Sequence, residues 1–109
     1  MRTIHKFVYG VESGGRQTFE VPKFATLLHI RETDKLPGEY DPSGLKNASL
    51  WFEVDTDEER RENRVFEMFG TGHDIPRENE GKAAFYVGTF LPGARLVFHL
   101  YEWVPISQE

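Results

Sequence analysis

The stretch RLVFHLYEWV, residues 95–104, decides the fold of this 109-residue chain. Its apolar side chains recur at every second position, so that one face carries Leu96, Phe98, Leu100 and Val104. The opposite face is mixed and carries Val97, His99, Tyr101 and Trp103. Successive side chains of a β-strand point to opposite sides, and this alternation therefore predicts a strand with one face in the core.

Six further segments show the same alternation over shorter lengths. They are residues 3–9, 17–21, 25–32, 49–55, 64–69 and 82–91. In the third segment, Leu28 and Ile30 are expected on one face and Leu27 and His29 on the other. In the fourth, Leu50, Phe52 and Val54 share the inward face, and Trp51, Glu53 and Asp55 are expected on a solvated face. Leu91-Pro92-Gly93-Ala94 is a turn signal between the last two strands and favours a hairpin. The pattern predicts an all-β fold: a small antiparallel β-sandwich or partly open barrel of about seven strands, with little or no helix.

Length and composition predict a single β domain over residues 1–109, because 39% of the residues are hydrophobic and nine are phenylalanine. Residues 33–48 show no periodicity and contain Leu36-Pro37-Gly38 and Asp41-Pro42-Ser43-Gly44, which predicts a long loop insertion. Residues 55–63 are almost entirely charged, and we expect a solvated hairpin connection there. Residues 77–81 are expected to form a polar loop.

Composition also excludes several classes of function. The chain has no cysteine, so disulfide scaffolds, zinc–thiolate sites and thiol catalysis are excluded. The formal net charge is −5, which argues against direct nucleic-acid binding by a general basic surface. No apolar run approaches the ~18 residues of a membrane span, and the first six residues lack an apolar signal core, so we expect neither membrane insertion nor export.

The most site-like segment is Gly70-Thr71-Gly72-His73-Asp74. Glycines on both sides of a threonine let the backbone approach a ligand closely, and successive N–H groups can bind an anion such as phosphate. The segment is no P-loop, since a lysine and a following helix are both missing. The alternative is an ordinary turn that ends a strand, with glycine supplying positive φ and Asp74 capping the backbone.

Four further side chains are candidates for ligand binding. Tyr86, His99 and Trp103 offer rings on which a nucleobase or a partner side chain could stack. Arg64, with Arg60, Arg61 and Arg31, could hold a phosphate group. The alternative for the rings is a sheet face covered by a loop or a subunit, and the alternative for the arginines is pairing with the neighbouring glutamates.

The sequence offers little that points to catalysis or to a bound metal. The four histidines have none of the short spacings that metal ligands share, so we expect no metal and no cofactor. No serine lies in a Gly-x-Ser-x-Gly elbow, and no nucleophile, base and charge stabiliser come together. We therefore expect a protein that is not an enzyme. The acidic residues 55–59 could instead imitate a nucleic-acid backbone and occupy the basic groove of a nuclease.

Several short stretches together resemble a family of small uncharacterised bacteriophage proteins. They are MRTIHKF (1–7), LWFEVD (50–55), FGTGHDIP (69–76), YVGT (86–89) and LVFHLYE (96–102). The resemblance implies a phage origin and a place in the cytoplasm of the infected bacterial host, and it implies no particular chemistry.

Three functions by binding follow from these observations. We expect foremost a homo-oligomer that sequesters a small nucleotide-type ligand as a counter-defence. The alternatives are an acidic inhibitor that binds a host defence enzyme, and a virion or accessory interaction domain.

Overall fold

The fold is built entirely from β-strands in the part of the chain that the structure describes. A computed structural model describes residues 1–33, 45–93 and 95–106. In chain order the strands are β1 (Arg2–Tyr9), β2 (Gln17–Pro22), β3 (Thr26–Thr33), β4 (Asn47–Asp55), β5 (Arg61–Gly70), β6 (Glu78–Asn79), β7 (Lys82–Gly93) and β8 (Leu96–Pro105). All seven predicted strands are confirmed.

The strands form two antiparallel sheets that pack face to face, which confirms the all-β sandwich. One sheet has the order β1-β4-β3 and the other has the order β2-β5-β8-β7-β6. The predicted hairpin is present, since β7 pairs with β8 over most of their length. The eighth strand was not expected: Glu78 and Asn79 lie in the segment predicted as a polar loop, and they pair with Ala83 and Lys82.

The core lies between the sheets and is centred on phenylalanine rings. Phe7 and Phe52 come from the three-stranded sheet, and Phe19 and Phe66 come from the other. Phe52 meets Phe7 edge-on with centroids 5.5 Å apart and meets Phe66 across the sheet interface at 6.1 Å. Edge-to-face pairs of this kind add about 0.5–1.5 kcal/mol to the free energy of burial. The predicted inward face Leu50, Phe52 and Val54 is fully buried, as this packing requires.

The prediction of a hairpin at residues 55–63 is wrong. The strands on either side of it, β4 and β5, belong to different sheets, so the connection crosses from one sheet to the other. The reason is that β4 is the central strand of its sheet. Its two edges already pair with β1 and β3, and no edge is left for β5.

A β-bulge at Leu28 overturns the predicted faces of β3. Leu27 is opposite Phe52 and His29 is opposite Trp51, so Leu28 is the extra residue that the partner strand does not match. A bulge shifts the alternation by one residue. Leu27 and Ile30 consequently pack towards the core, whereas Leu28 is 48% exposed. A second irregularity occurs in β7 between Tyr86 and Gly88.

The two sheets come closest where β3 runs beside β7. A Cβ atom added to Gly88 would lie 2.7 Å from both Cδ1 and Cγ1 of Ile30, a distance that real Cβ atoms essentially never show. Nearby, the backbone N–H of Leu91 donates to Glu32 Oε2 at 3.2 Å. Glycine at position 88 is therefore required by close approach of β3 and not by a turn.

The predicted loop insertion at residues 33–48 falls mostly outside the described residues. At its ends, Thr33 belongs to β3, and Asn47 and Ala48 belong to β4. Residues 34–44 and residue 94, which belongs to the predicted turn between β7 and β8, lie beyond what the structure describes.

Gly88→Ala is expected to destabilise the protein by about 1–3 kcal/mol, because the added methyl group overpacks the contact with Ile30. Urea denaturation measures the loss. Gly10→Ala is the matched control, since the nearest atoms to a Cβ there lie at 3.8 Å. In the Gly88→Ala background, Ile30→Ala should cost less than it costs in the wild type. Additive losses would contradict a direct contact.

Candidate functional site

The predicted site residues mostly meet on one surface, the outer face of the five-stranded sheet. The register places Phe69 opposite His99, and His99 opposite Thr89. In the adjacent row Glu67 is opposite Tyr101, and Tyr101 is opposite Tyr86. Directly opposed side chains of an antiparallel pair project to the same side, and this face is turned away from the core. We call it the outer aromatic face.

A chain of hydrogen bonds runs across the outer aromatic face. His99 Nε2 lies 3.0 Å from the Thr71 hydroxyl, and His99 Nδ1 lies 2.9 Å from the Thr89 hydroxyl. The Thr89 hydroxyl in turn lies 2.7 Å from the Tyr86 hydroxyl. Both ring nitrogens of His99 are thus engaged by hydroxyl groups, which can donate or accept. The imidazole is held in one orientation at the centre of the face.

The aromatic rings on this face become more exposed to solvent from Phe69 to Tyr86. Phe69 is 8% exposed and meets Tyr101 edge-on at 5.6 Å. Tyr101 in turn meets Tyr86, again with centroids 5.6 Å apart. Tyr86 is 58% exposed, so this ring has free surface on which a planar ligand can lie.

The segment of residues 70–74 has the hydrogen bonds of an ordinary turn that ends a strand. The backbone N–H of His73 donates to the carbonyl of Gly70, and the N–H of Gly70 donates to His73 Nδ1, both at 3.1 Å. Gly72 has a φ of 88°, which explains the glycine there. Two of the amide groups that an anion would need are therefore used within the turn. Thr71 reaches the outer aromatic face by its bond to His99.

Trp103 lies on the same face of β8 but is buried. Its ring is 2% exposed and is covered by the guanidinium of Arg16, whose Cζ lies 4.3 Å from the ring centroid. Its indole N–H donates to Glu67 Oε1 at 2.9 Å. A cavity of about 560 Å³ adjoins it, and Asp74 and Glu80 also line this cavity. The lining is more acidic than basic, and Trp103 has no free face for a ligand.

Arg64 is not part of the outer aromatic face. Its guanidinium binds Glu102 in a bidentate pair at 2.6 and 2.8 Å and donates to the carbonyl of Ala25 at 2.7 Å. Both charged side chains are mostly buried, at 17% and 14% exposure. The hydrogen bond to Glu102 raises the pKa of Arg64. The arginine therefore holds β5 to β8 and to the chain before β3, and its donors are already used.

Glu102→Leu is expected to destabilise the protein by about 3–5 kcal/mol, because it leaves the charge of Arg64 buried without a partner. Replacing both residues by leucine should recover most of the loss. The control is Arg61→Leu, which removes an exposed pair with Glu20 and should cost less than about 1 kcal/mol. Urea denaturation of the four proteins gives the comparison. Equal losses in Glu102→Leu and Arg61→Leu would show that Arg64 is not structural.

The predicted arginine cluster does not form. Arg60 binds Glu58, the pairing with a neighbouring glutamate that was the alternative, whereas Arg61 binds Glu20 on β2. The acidic run is also engaged. Asp55 and Asp57 both accept hydrogen bonds from the terminal amino group of Met1. The side-chain hydrogen bond from Arg60, helped by its backbone N–H, lowers the pKa of Glu58 from 4.5 to about 2.

We expect the Glu58 carboxyl group to titrate near pH 2 in an NMR titration. A pKa lowered in the folded state means that the pair with Arg60 stabilises the protein fully above about pH 4.5, and that this stabilisation is lost as the pH falls towards 2. Arg60→Gln should raise the midpoint, and Arg61→Gln should leave it in place. A Glu58 midpoint near 4.5 in the wild type would contradict the pair.

The outer face of the three-stranded sheet carries a second group of candidate side chains, of which sequence reasoning named Arg31 as a phosphate-binding candidate but did not place it beside the others. Trp51 lies opposite Lys6 on β1 and opposite His29 on β3. His29 stacks on Trp51 at 6.0 Å, and the guanidinium of Arg31 lies 5.6 Å from the same ring. The alternation placed Trp51 outward correctly but assigned it to a solvated face. The local sequence does not show that Lys6 and Arg31 lie near each other, because only strand pairing brings them together.

The two outer faces are adjacent. His29 and Tyr86 line one shallow cavity of about 250 Å³, together with Leu27, Leu28, Ile30 and Val87. This cavity follows from the close approach of β3 and β7. A ligand on Tyr86 can thus extend towards His29 and the three-stranded sheet.

Within residues 1–33, 45–93 and 95–106, no three His, Cys, Asp or Glu side chains lie together in a way that could hold a metal ion. No helix in the same ranges is long and apolar enough to cross a membrane.

Fold and surface together define an all-β sandwich with an aromatic, hydrogen-bonding outer face. The family model described as "Domain of unknown function (DUF7352)" matches residues 1–108, and the chain belongs to this family. No curated protein and no solved structure matches the chain.

Proposed function

We propose that the protein acts by binding a small nucleotide-type ligand on its outer aromatic face and does not transform it. The observation that carries this proposal is the hydrogen-bonded chain that leads from Thr71 through His99 and Thr89 to the half-exposed Tyr86. It unites a free aromatic ring with a fixed row of polar groups. Six of the nine predicted site residues belong to this arrangement. They are Tyr86, His99 and the turn residues Gly70, Thr71, Gly72 and His73; the other three are Asp74, Arg64 and Trp103.

The chemistry of this face suits a planar heterocycle. A nucleobase stacks on an aromatic ring through its π-face, a contact worth about 1–3 kcal/mol for a single base. Its edge carries donors and acceptors in a fixed order. The hydroxyls of Thr71, Thr89 and Tyr86 can each donate or accept, and they can adapt to such an edge.

Binding without chemistry is supported by the surroundings of His99. A catalytic histidine is usually oriented by a carboxylate on one nitrogen and faces a nucleophile or substrate with the other. Here both nitrogens contact threonine hydroxyls. No carboxylate of the described residues is hydrogen-bonded to His99. The imidazole is therefore equipped to position a ligand and lacks the partner that would make it a strong base.

The proposed setting is the cytoplasm of an infected bacterium, on the strength of the resemblance to bacteriophage proteins. There the protein would sequester a nucleotide signal of the host defence. We also propose that it does so as a homo-oligomer. Leu28 in the shallow cavity and Leu91 further along β7 are 48% and 55% exposed. A second copy that covers them would deepen the site, since one small sandwich offers little depth.

A panel of cyclic and ADP-ribose-type nucleotides should contain at least one that raises the melting temperature. At a concentration a hundred times Kd the stabilisation is about 2.7 kcal/mol, on the order of 10 °C for a chain of this size. Tyr86→Ala should abolish the shift, because it removes the stacking surface. Thermal denaturation measures it, and light scattering after size exclusion gives the oligomeric state.

Phe85→Ala is the matched control. Phe85 is the preceding residue, it has nearly the same exposure at 57%, and it points to the opposite side of β7. It should keep the nucleotide-induced shift. A shift that survives Tyr86→Ala, or no shift across the whole panel, would contradict the proposal.

A further inference from the structure

We propose that the outer face of the three-stranded sheet holds a binding pocket for a phosphate or diphosphate group. The pocket is a cavity of about 490 Å³ lined by Lys6, Arg31, Glu32, Thr33, Lys46 and Trp51. This inference deepens the proposed function, because it assigns the phosphate part of a nucleotide-type ligand, but it stands on different residues.

Charge is the first observation that supports the pocket. Among the described residues, three cationic side chains, those of Lys6, Arg31 and Lys46, line it together with one carboxylate, that of Glu32. The whole chain carries a net charge of −5, so this concentration of positive charge runs against the composition of the protein. Cationic side chains around a concave site attract and hold anions more strongly than the same charges spread over a surface.

The second observation is the lack of ion pairs at two of these cations within the described residues, although the charge of Arg31 does help to lower the pKa of Glu32. Neither Lys6 nor Arg31 makes an ion pair there, whereas Arg2, Arg16, Arg60, Arg61 and Arg64 all do. Arginine and lysine donors that lack a carboxylate partner are available to phosphate oxygens. Arginine in addition matches a phosphate group with two parallel hydrogen bonds.

The third observation is that the pocket is built around fixed side chains. The indole of Trp51 forms part of its wall and is stacked on one side by His29. The guanidinium of Arg31 lies over the same ring system, so contact with Trp51 restricts its position. A cation that is held in place before the ligand arrives loses less conformational entropy on binding.

Glu32, the carboxylate among the described residues of the pocket, is directed towards β7. Glu32 accepts the backbone N–H of Leu91 on β7, and hydrogen bonds from its own backbone N–H and that of Leu91 lower its pKa. Its charge is thus partly satisfied by amide groups at the junction of β3 and β7. It still repels an anion, but the three cations outweigh it among the described lining residues. Because the net attraction grows with the charge of the ligand, the pocket favours a multiply charged group such as a diphosphate over a single carboxylate.

Inorganic pyrophosphate is the probe that tests the pocket without a base or sugar. The chain has only two tryptophans, Trp51 in the pocket and the buried Trp103. Their indole N–H signals, assigned with Trp51→Phe, report on each site separately in an NMR titration at constant ionic strength. Pyrophosphate should shift the Trp51 signal saturably and leave the Trp103 signal in place.

A pair of double variants distinguishes a pocket from general electrostatic attraction. Lys6→Ala with Arg31→Ala should weaken pyrophosphate binding at least about tenfold, because it removes two charge-assisted contacts. Arg2→Ala with Arg61→Ala removes the same net charge from exposed side chains that are paired with Glu53 and Glu20. It should leave the affinity within about twofold of the wild type. Equal weakening by both pairs, or no saturable Trp51 shift, would overturn the pocket.

The same titrations keep this inference separate from the proposed function. Tyr86→Ala should leave pyrophosphate binding unchanged, since Tyr86 does not line the pocket. If pyrophosphate binds as expected but no nucleotide depends on Tyr86, the pocket stands and the proposed function fails. If a nucleotide stabilises the protein through Tyr86 and pyrophosphate does not bind, the pocket is wrong and the proposed function stands.

Discussion

The contact between Phe52 and Phe66 across the two sheets is the interaction on which the rest of the structure depends. Both rings are fully buried, and each belongs to a strand with partners on both sides. Because side chains alternate along a strand, burial of these two rings turns their neighbours Trp51 and Glu67 to the outside. The surfaces that we assign to ligand binding are thus the reverse sides of the strands that make the core.

The close approach of β3 to β7 brings side chains from the outer faces of the two sheets together. Gly88 lets Ile30 come close to the backbone of β7, and the outward side chains His29 and Tyr86 consequently line one cavity. Charge is distributed unevenly around this junction. The pocket at Lys6 and Arg31 is cationic, whereas the cavity beside Trp103 is predominantly acidic. A net charge of −5 conceals this separation, since it sums over both surfaces.

The local hydrophobic pattern predicted most of the strands, but it did not predict which strands pair with each other. The alternation around Leu50, Phe52 and Val54 correctly gave the buried face of β4, because burial on one side of a sheet imposes that period directly. It failed at Leu28, where a bulge shifts the period without leaving a glycine or proline as a signal. The glycines, Tyr86 and His99 were proposed as site residues from residue type alone. Arg31 was grouped with Arg60, Arg61 and Arg64 and not with Lys6, because Lys6 and Arg31 are 25 residues apart in the chain.

The sequence by itself determined that the chain forms β-strands, which faces of most strands are buried, and which chemistries its composition excludes. These properties depend on residues that are near one another in the chain. Only the tertiary structure decided that β4 and β5 lie in different sheets, that Arg64 pairs with Glu102, and that Lys6 and Arg31 meet around Trp51. The physical reason is that pairing between strands distant in sequence depends on which edges are free and how the faces pack, and neither is a local property of the chain.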